Sequence, residues 1–208
     1  MGTYIPPPSF HTFDPIRAVP ENLFEAISSS MEGKHADLLE AIGSNHGIAE
    51  LKEGMKPTLD KATLLLISTM DWQEDGGAPI PLERGHSREK LGRFPSRDGN
   101  AIEYLLEYVK VQNGESDLRN LLVKLGRGLS EDFLGLKGFA EGSGGLEILG
   151  WLNPGEVSEL RNEIEGGDWS VMSSEPLDGG VQDAFRHLLV FLRAAGRRKC
   201  GILMRRHS

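Results

Sequence analysis

Apolar residues recur at helical spacing along the N-terminal half of the chain. Three such faces are Leu23, Phe24 and Ile27; Leu38, Leu39 and Ile42; and Leu59, Ala62, Thr63 and Leu66. Residues three or four apart share one face of a helix, so each set predicts a helix that packs on one side. Gly43 is expected to end the second helix, and Pro57 to lie in the first turn of the third. Residues 44–54 predict a weaker helix between these two.

Helix-start signals mark the C-terminal half. Asn100 and Glu103 have the spacing of a capping box directly before an apolar run. The leucine-rich face that predicts the following helix comprises Leu118, Leu121, Leu122 and Leu125. Asn153-Pro154-Gly155-Glu156 combines a cap, a proline at the first helical position and a glutamate at the third. The apolar face from Val181 to Ala195 predicts a last helix, with Gly196 as its C-cap.

Three short stretches predict strands, namely Phe10 to Phe13, Leu146 to Leu152 and Cys200 to Met204. The first and last are expected to pair and to close the domain end to end. Asp14-Pro15 predicts a brief helical turn after the first strand. The expected fold is therefore mainly α, or α+β with a small sheet of two to three short strands. It is a single compact domain over residues 1–208, with about seven or eight helices around a leucine-rich core.

Two segments lie outside these patterns. Residues 1–9 are rich in proline and are expected to form an N-terminal arm. Residues 71–99 are charged and contain several Gly and Pro residues, so they predict a long loop. A loop of this length is uncommon in a compact domain unless it is functional or contains a short helix. Such a helix would lie around Ser87 to Leu91, and both alternatives are open at this stage.

Composition indicates a folded protein of the reducing cytoplasm. The chain has 208 residues, of which 38% are hydrophobic and 26% charged, values that fit a globular core rather than disorder. Its single cysteine, Cys200, cannot form an internal disulfide. The first residues lack the pattern of a secretory signal, and no apolar run approaches the ~18 residues of a membrane span. We therefore expect a cytoplasmic location and no contact with a membrane.

The charge is distributed unevenly along the chain. The formal net charge is −8, yet the last 23 residues hold seven Lys and Arg and no Asp or Glu. The other 16 basic residues stand against all 31 acidic ones, so residues 1–185 carry −15. Such asymmetry predicts either a charged binding surface or a basic C-terminal segment that packs on its own acidic body. The second interpretation is slightly favoured.

The long loop contains the candidate residues for binding a protein partner: Asp71, Trp72, Glu74, Asp75 and Glu83. Trp72 is unusual within an acidic loop that only interacts with solvent. An exposed aromatic residue among acids is typical of an interface anchor, whereas an ordinary solvated loop is the simpler alternative. The expected partner is a protein, with a basic surface.

A candidate basic face lies on the last predicted helix and comprises Arg186, Arg193, Arg197 and Arg198. The first three follow one another at seven- and four-residue spacing, so they share one helix face. Such a stripe suits binding to nucleic acid. However, the sequence pI is about 5.3, and basic residues at a helix C-terminus also complement the helix dipole. Nucleic-acid binding is therefore disfavoured.

The sequence contains no complete catalytic, metal or cofactor motif, so no catalytic residue, metal ligand or cofactor is assigned. Gly142 to Gly145 lacks the Lys and the Ser or Thr of a phosphate-binding loop, and an ordinary turn is favoured. His46 and Glu50 are four apart and are best interpreted as a surface pair. A hydrolase or transferase is the alternative if the fold assembles a site from distant groups. The groups in question are His86, Asp98, Glu83 and Cys200.

Three segments resemble a group of uncharacterised bacterial cytoplasmic proteins of immunity-protein type. They are Asp37 to Ile42, Trp151 to Val157, and the helix Leu188 to Leu192 with the Gly-Ile-Leu strand that follows Cys200. Immunity proteins bind and neutralise a cognate toxin. The resemblance therefore implies a protein partner, and it brings no catalytic residues.

The leading prediction is a non-enzymatic protein-binding protein whose acidic surface engages a basic partner, in its concrete form an immunity protein. A small hydrolase or transferase is the first alternative. A nucleic-acid-associated regulator that uses the basic C-terminal segment is the second.

Overall fold

The computed structural model describes residues 10–43, 48, 51–85, 90–96, 99–112, 114 and 116–207. In this part of the chain the α-helices are α1 (Phe24–Ser30), α2 (Ala36–Ile42), α3 (Lys61–Thr69), α4 (Ala101–Tyr108), α5 (Leu118–Arg127), α6 (Glu131–Leu134), α7 (Pro154–Gly166) and α8 (Gly180–Arg198). The strands are β1 (Phe10–Ile16), β2 (Val109–Val111), β3 (Leu146–Leu152), β4 (Trp169–Val171) and β5 (Gly201–His207). Short 3-10 helices cover Pro20–Asn22 and Ser143–Gly145. The predicted arm, residues 1–9, lies outside the described residues.

A three-stranded antiparallel sheet in the order β1-β5-β3 forms the centre of the molecule. Strand β5 lies in the middle, with Phe13 of β1 opposite Met204 and Leu152 of β3 opposite Ile202. The register of β3 shifts between Ile148 and Gly150 at a β-bulge. The predicted pairing of the first and last strands is confirmed, and so is the α+β fold class.

Residues of β5 point alternately into two hydrophobic cores, one on each face of the sheet. Ile202 and Met204 pack with α4, α5, α7 and α8, where Phe13 meets Phe191 edge to face with ring centroids 4.9 Å apart. Leu203 points to the opposite face and packs with α1 and α3. Because successive side chains of one strand supply both cores, the two halves form a single domain.

The helical turn predicted at Asp14-Pro15 is wrong, because β1 continues through both residues to Ile16. Proline is tolerated there because β1 is an edge strand, where its missing N–H breaks no ladder bond. The Asp14 carboxylate forms an ion pair with Arg205 on the neighbouring strand, and Nη2 of Arg205 lies 3.3 Å from Oδ1 of Asp14. Asp14, which the sequence suggested as a helix cap, therefore takes part in a cross-strand ion pair instead.

Helix boundaries follow the side chains that satisfy the terminal backbone groups. The capping box predicted at Asn153 is confirmed, since its Oδ1 accepts from the Glu156 amide at 3.0 Å and its own amide donates to the Glu156 carboxylate at 2.8 Å. Asn100 caps α4 through the Ile102 amide. Helix α8 runs past Gly196 to Arg198, and Lys199 supplies the left-handed cap with φ of 52°.

The chain around α3 departs from the prediction in two ways. Helix α3 begins at Lys61 with Asp60 as its cap, and Pro57 lies outside it. Of the weaker helix predicted over 44–54, the described residues 48 and 51–54 form no helix. The chain at residues 52–55 contacts His35 instead, whose Nε2 lies 3.1 Å from the Lys52 carbonyl oxygen and 2.9 Å from the Met55 carbonyl oxygen.

Residues 71–85 and 90–96 contain no helix or strand, in agreement with the long loop predicted over residues 71–99. Three apolar side chains from this segment, Leu82, Leu91 and Phe94, are nevertheless buried in the core. The loop is thus anchored along its length. Most of the short helix proposed at Ser87 to Leu91 falls outside the described residues.

Gly150 permits a close approach between α5 and the sheet. A Cβ atom at this position would overlap the carbonyl oxygen of Lys124 and lie 2.6 Å from that of Leu125, both on α5. Backbone oxygens of a packed helix have little room to move, so any side chain here forces α5 away from β3.

We expect Gly150→Ala to lower the free energy of unfolding by about 3 kcal/mol, the cost of overpacking a rigid contact. Gly166→Ala is the matched control, because Gly166 ends α7 with open space around its Cα. That change should be neutral or stabilise by about 0.5–1 kcal/mol. Urea unfolding of the two variants measures the difference, and equal stabilities would contradict the contact.

Asp60 joins the start of α3 to the 3-10 turn at Ser143. Its carboxylate accepts bonds from the Thr63 amide at 2.8 Å and from the amide and hydroxyl of Ser143 at 2.8 and 2.6 Å. Burial raises the pKa of Asp60, but the bonds from Ser143 and Thr63 outweigh it and lower the pKa to about 2. The ionised carboxylate is therefore the form that the fold stabilises.

Because the folded pKa of Asp60 lies below its unfolded value, its contribution is present above about pH 4 and is lost as the pH falls towards 2. We expect Asp60→Asn to cost about 1 kcal/mol at pH 7, after allowance for solvent screening, and less near pH 2.5. Asp117→Asn is the control, since Asp117 is also an N-cap residue but its side chain makes no capping bond. A pH-independent difference between wild type and Asp60→Asn, measured by urea unfolding, would refute this role.

Candidate functional site

The segment that follows α3 is fixed against the end of β1. The Arg17 amide donates to the Thr69 carbonyl at 2.8 Å, and the Asp71 amide donates to the Pro15 carbonyl at 3.0 Å. Ile16 and Met70 form an isolated antiparallel bridge between them. The backbone on both sides of Met70 is thus tied to the edge of the sheet, which determines where Trp72 lies.

Trp72 is half-buried, and its indole nitrogen donates to the Ile67 carbonyl at 2.8 Å. The residue lines a cleft of about 650 Å³, which we call the Trp72 cleft. Its other walls come from the end of α2, including Glu40 and Ile42, and from the chain around Arg17. A hydrogen-bonded indole in an open cleft has a defined orientation before any partner arrives.

Two exposed carboxylates, Glu40 and Glu74, line the Trp72 cleft together with one cation, Arg17. Ile42 and Met70 supply apolar surface beside the indole. The cleft therefore combines an aromatic anchor and apolar walls with an excess of negative charge.

The predicted partner-binding set is only partly assembled at this cleft. Trp72 and Glu74 line it, whereas Asp71 forms an ion pair with Arg198 at 3.1 Å. The Asp75 carboxylate accepts from the Gly77 amide at 2.9 Å, and that of Glu83 accepts from the Gly85 amide. Asp75 and Glu83 therefore stabilise local turns. Sequence reasoning missed Glu40, because nothing in the chain order brings α2 beside residue 72.

Most of the basic C-terminal segment docks on the acidic body. Five of its seven basic residues form ion pairs, as follows: Arg186 with Asp183, Arg193 with Glu165, Arg198 with Asp71, Arg205 with Asp14, and Arg206 with Glu147. Arg197 is exposed. Pairing of Arg186 and Arg193 with carboxylates weakens the case for a phosphate-binding stripe on this helix.

The residues of the alternative catalytic set do not yield a reactive site in the described part of the chain. His86 and Asp98 lie outside the described residues, as do His46 and Glu50 of the candidate surface pair. Cys200 is 5% exposed, and burial raises the pKa of its thiol although Arg198 opposes this. The thiolate is therefore disfavoured, as expected for a structural cysteine.

The glycine-rich turn at Gly142 to Gly145 serves a structural contact. The Ser143 amide donates to the Asp60 carboxylate, so an acid of the protein takes the place that a phosphate would need. This geometry agrees with the ordinary turn favoured from the sequence.

A second cavity, of about 500 Å³, was not predicted, and we call it the charged cavity. Its floor is a row of three residues that lie opposite one another on neighbouring strands, His11, Arg206 and Glu147. The Glu103–Arg127 ion pair from α4 and α5 also lines it. Glu147 alternates with apolar residues, which is a weak signal in the sequence, but without the strand register nothing brings it beside Arg206 and His11.

Groups of metal ligands and membrane-spanning helices are both absent from the part of the chain that the structure describes. It holds no group of three or more His, Cys, Asp or Glu side chains placed to bind a metal ion. No helix within it is long and apolar enough to cross a bilayer. In comparisons with known proteins, no family model, no curated protein and no solved structure matches this chain.

Arg198 connects both ends of the segment 71–80 to the last turn of α8, because it donates to the Asp71 carboxylate and to the Ile80 carbonyl. We expect Arg198→Met to lower the opening free energy of this segment by about 1 kcal/mol, which corresponds to about fivefold faster amide exchange. Hydrogen–deuterium exchange at Asp71 and Gln73, whose amides are bonded, measures it.

Arg193→Met is the matched control for this experiment. It removes an arginine of the same helix whose partner is Glu165 on α7, away from the segment. Equal exchange rates at Asp71 and Gln73 in the two variants would show that Arg198 does not hold the segment.

Proposed function

We propose that this protein is a non-enzymatic binding protein that takes a basic segment of a protein partner into the Trp72 cleft. In its concrete form it is an immunity protein that neutralises a cognate toxin in the cytoplasm. The observation that carries the proposal is the oriented, half-buried Trp72, which lines one cleft together with the exposed carboxylates of Glu40 and Glu74.

The chemistry of the cleft favours a partner segment with a basic residue beside an apolar one. Aromatic side chains that are partly buried and fixed in orientation are typical anchors of interfaces, because they lose little freedom on binding. Glu40 and Glu74 would attract Lys or Arg side chains of the partner. The cation of Arg17 at the same cleft would disfavour a partner with two adjacent positive charges there.

The overall charge supports the same kind of partner. The chain carries a formal charge of −8, with 31 acidic residues against 23 basic ones, and ion pairs between the two leave this difference unchanged. The protein therefore presents an excess of negative charge to an approaching partner. Such an excess accelerates association with a basic protein and makes it sensitive to salt.

The resemblance noted in the sequence bears on the same surface. The segment Asp37 to Ile42 falls within α2, whose end contributes Glu40 and Ile42 to the Trp72 cleft. The segment for which we noted a resemblance to immunity-type proteins thus contributes to the proposed binding site, and the concrete form of the proposal rests on that resemblance.

The test starts with the tagged chain as bait in a lysate of its native host at low salt. Partner affinity is then measured for the wild type, for Trp72→Ala and for the double variant Glu40→Gln/Glu74→Gln. We expect each variant to weaken binding by about tenfold or more, because an anchor residue contributes about 2 kcal/mol. High salt should weaken the wild type strongly and the double variant much less.

Glu131→Gln/Glu159→Gln is the charge-matched control, since both glutamates are exposed and neither lines the cleft. A partner bound equally by the wild type and Trp72→Ala would rule out the cleft. For the immunity form, the captured protein should arrest growth when produced alone, and growth should return with the wild-type chain but not with Trp72→Ala. A partner with no effect on growth would leave a binding protein that is not of immunity type.

A further inference from the structure

The charged cavity lies at the end of the sheet where the helices no longer cover it. Next to its floor, Phe13 and Met204 belong to the same face of the sheet and are buried under the helices. Around Arg206, whose side chain is only partly buried, the cover is incomplete, and an open space lies between the sheet and α4, α5 and α6. Its volume of about 500 Å³ is within the usual range of small-molecule sites, roughly 300–1,000 Å³.

The ionisable groups of the cavity are costly for the fold to keep there. The Glu103 side chain is 14% exposed and that of Arg206 is 20% exposed, while His11 is buried. Charges held at this depth lose hydration that a surface ion pair retains, and apolar residues would fill the same space at lower cost. The fold thus gathers ionisable residues from distant parts of the chain in one cavity, where a few polar groups can orient a small ligand.

Local backbone features give this cavity its shape. The bulge of β3 between Ile148 and Gly150 interrupts the ladder beside it, and Leu149 of the bulge lines it. Gly126 lines the cavity from α5, where a Cβ atom would lie 3.0 Å from Cγ2 of Ile102. Bulges next to a cavity often direct side chains for binding.

The charge count decides which ligand fits. Three carboxylates and two guanidinium groups line the cavity, and the guanidinium groups of Arg127 and Arg206 already lie against Glu103 and Glu147. The third carboxylate is that of Asp132 on α6. An anionic ligand would increase the excess of negative charge, whereas a monocation would balance it.

The apolar part of the ligand is indicated by the neighbour of Asp132. Phe133 is 52% exposed and also lines the cavity, together with Val123 and Leu149. Asp132 and Phe133 both line the cavity, and a carboxylate and an aromatic ring in one cavity suit an organic ammonium group, because each attracts the cation.

We propose that the charged cavity binds a small amine, a monocation with an apolar body, and that Asp132 and Phe133 are its recognition residues. The ammonium group lies against the carboxylate of Asp132, and the apolar body lies against Phe133, Val123 and Leu149. This site is separate from the Trp72 cleft and does not depend on a protein partner.

The experiment titrates the full-length protein with 2-phenylethylamine and follows heat by calorimetry and amide shifts by NMR. Two probes of similar shape serve as comparisons, namely 2-phenylethanol, which is neutral, and 3-phenylpropionate, which is an anion. We expect saturable binding of the amine with shifts around Phe133 and Leu149. The neutral and anionic probes should bind about tenfold more weakly or not at all, since a tenfold change corresponds to about 1.4 kcal/mol of interaction.

The variants Asp132→Asn and Phe133→Ala should each weaken amine binding by about tenfold. Both residues are exposed on α6, so the fold should tolerate the changes. Glu131→Gln and Leu136→Ala are the matched controls, because they are exposed neighbours that do not line the cavity.

Three results would overturn the proposal. The first is the absence of saturable binding by the amine. The second is equal or tighter binding of 3-phenylpropionate, which would make the cavity an anion site. The third is amine binding that is equally affected by the variants and their controls, which would place the amine elsewhere on the surface.

Discussion

The antiparallel ladder between β1 and β5 is the interaction on which both candidate sites depend. It joins the described ends of the chain, with Phe13 opposite Met204. At one end of this ladder His11 lies beside Arg206, which makes the floor of the charged cavity. At the other end, the Pro15 carbonyl receives the Asp71 amide and so fixes the backbone next to Trp72. His11 lines the charged cavity and Arg17 lines the Trp72 cleft, so the two sites lie six residues apart along β1 and the residue that follows it, or roughly 20 Å of extended chain.

Ion pairs connect basic residues of the C-terminal segment with acidic residues in distant parts of the chain. Arg205 and Arg206 are successive residues of β5 and point to opposite faces, where they meet Asp14 and Glu147 respectively. Arg198 reaches the loop at Asp71. These three arginines do not form a separate positive surface. They attach β5 and α8 to acidic residues elsewhere in the fold. Since these pairs are partly buried, they are less screened by salt than pairs on the open surface.

The two sites differ in how their chemistry is built. The Trp72 cleft is made by a loop and the end of a short helix, with exposed acids around one oriented ring. The charged cavity is made mainly by strands and long helices, with charges that are already paired. An exposed acidic rim suits rapid capture of a large partner, whereas a preformed cavity suits a small ligand.

The sequence by itself determined the elements whose signals are local. The capping box at Asn153 and the leucine face of α5 were predicted, because capping and periodicity involve neighbours along the chain. The two strands that pair, β1 and β5, were also predicted from local signals, although their pairing joins distant parts of the chain. The three-residue strands β2 and β4 were missed, since they are too short to show an alternating pattern. Because only signals from neighbouring residues can be seen in the sequence, Asp14-Pro15 was predicted to form a helical turn. Only the strand register and Arg205 on a distant strand make it part of a sheet. Trp72 and Glu74 were identified from composition, but Glu40 and the row of His11, Arg206 and Glu147 were not. These groups become neighbours only when strands and helices far apart in sequence pack together, and it is this packing that the tertiary structure decided.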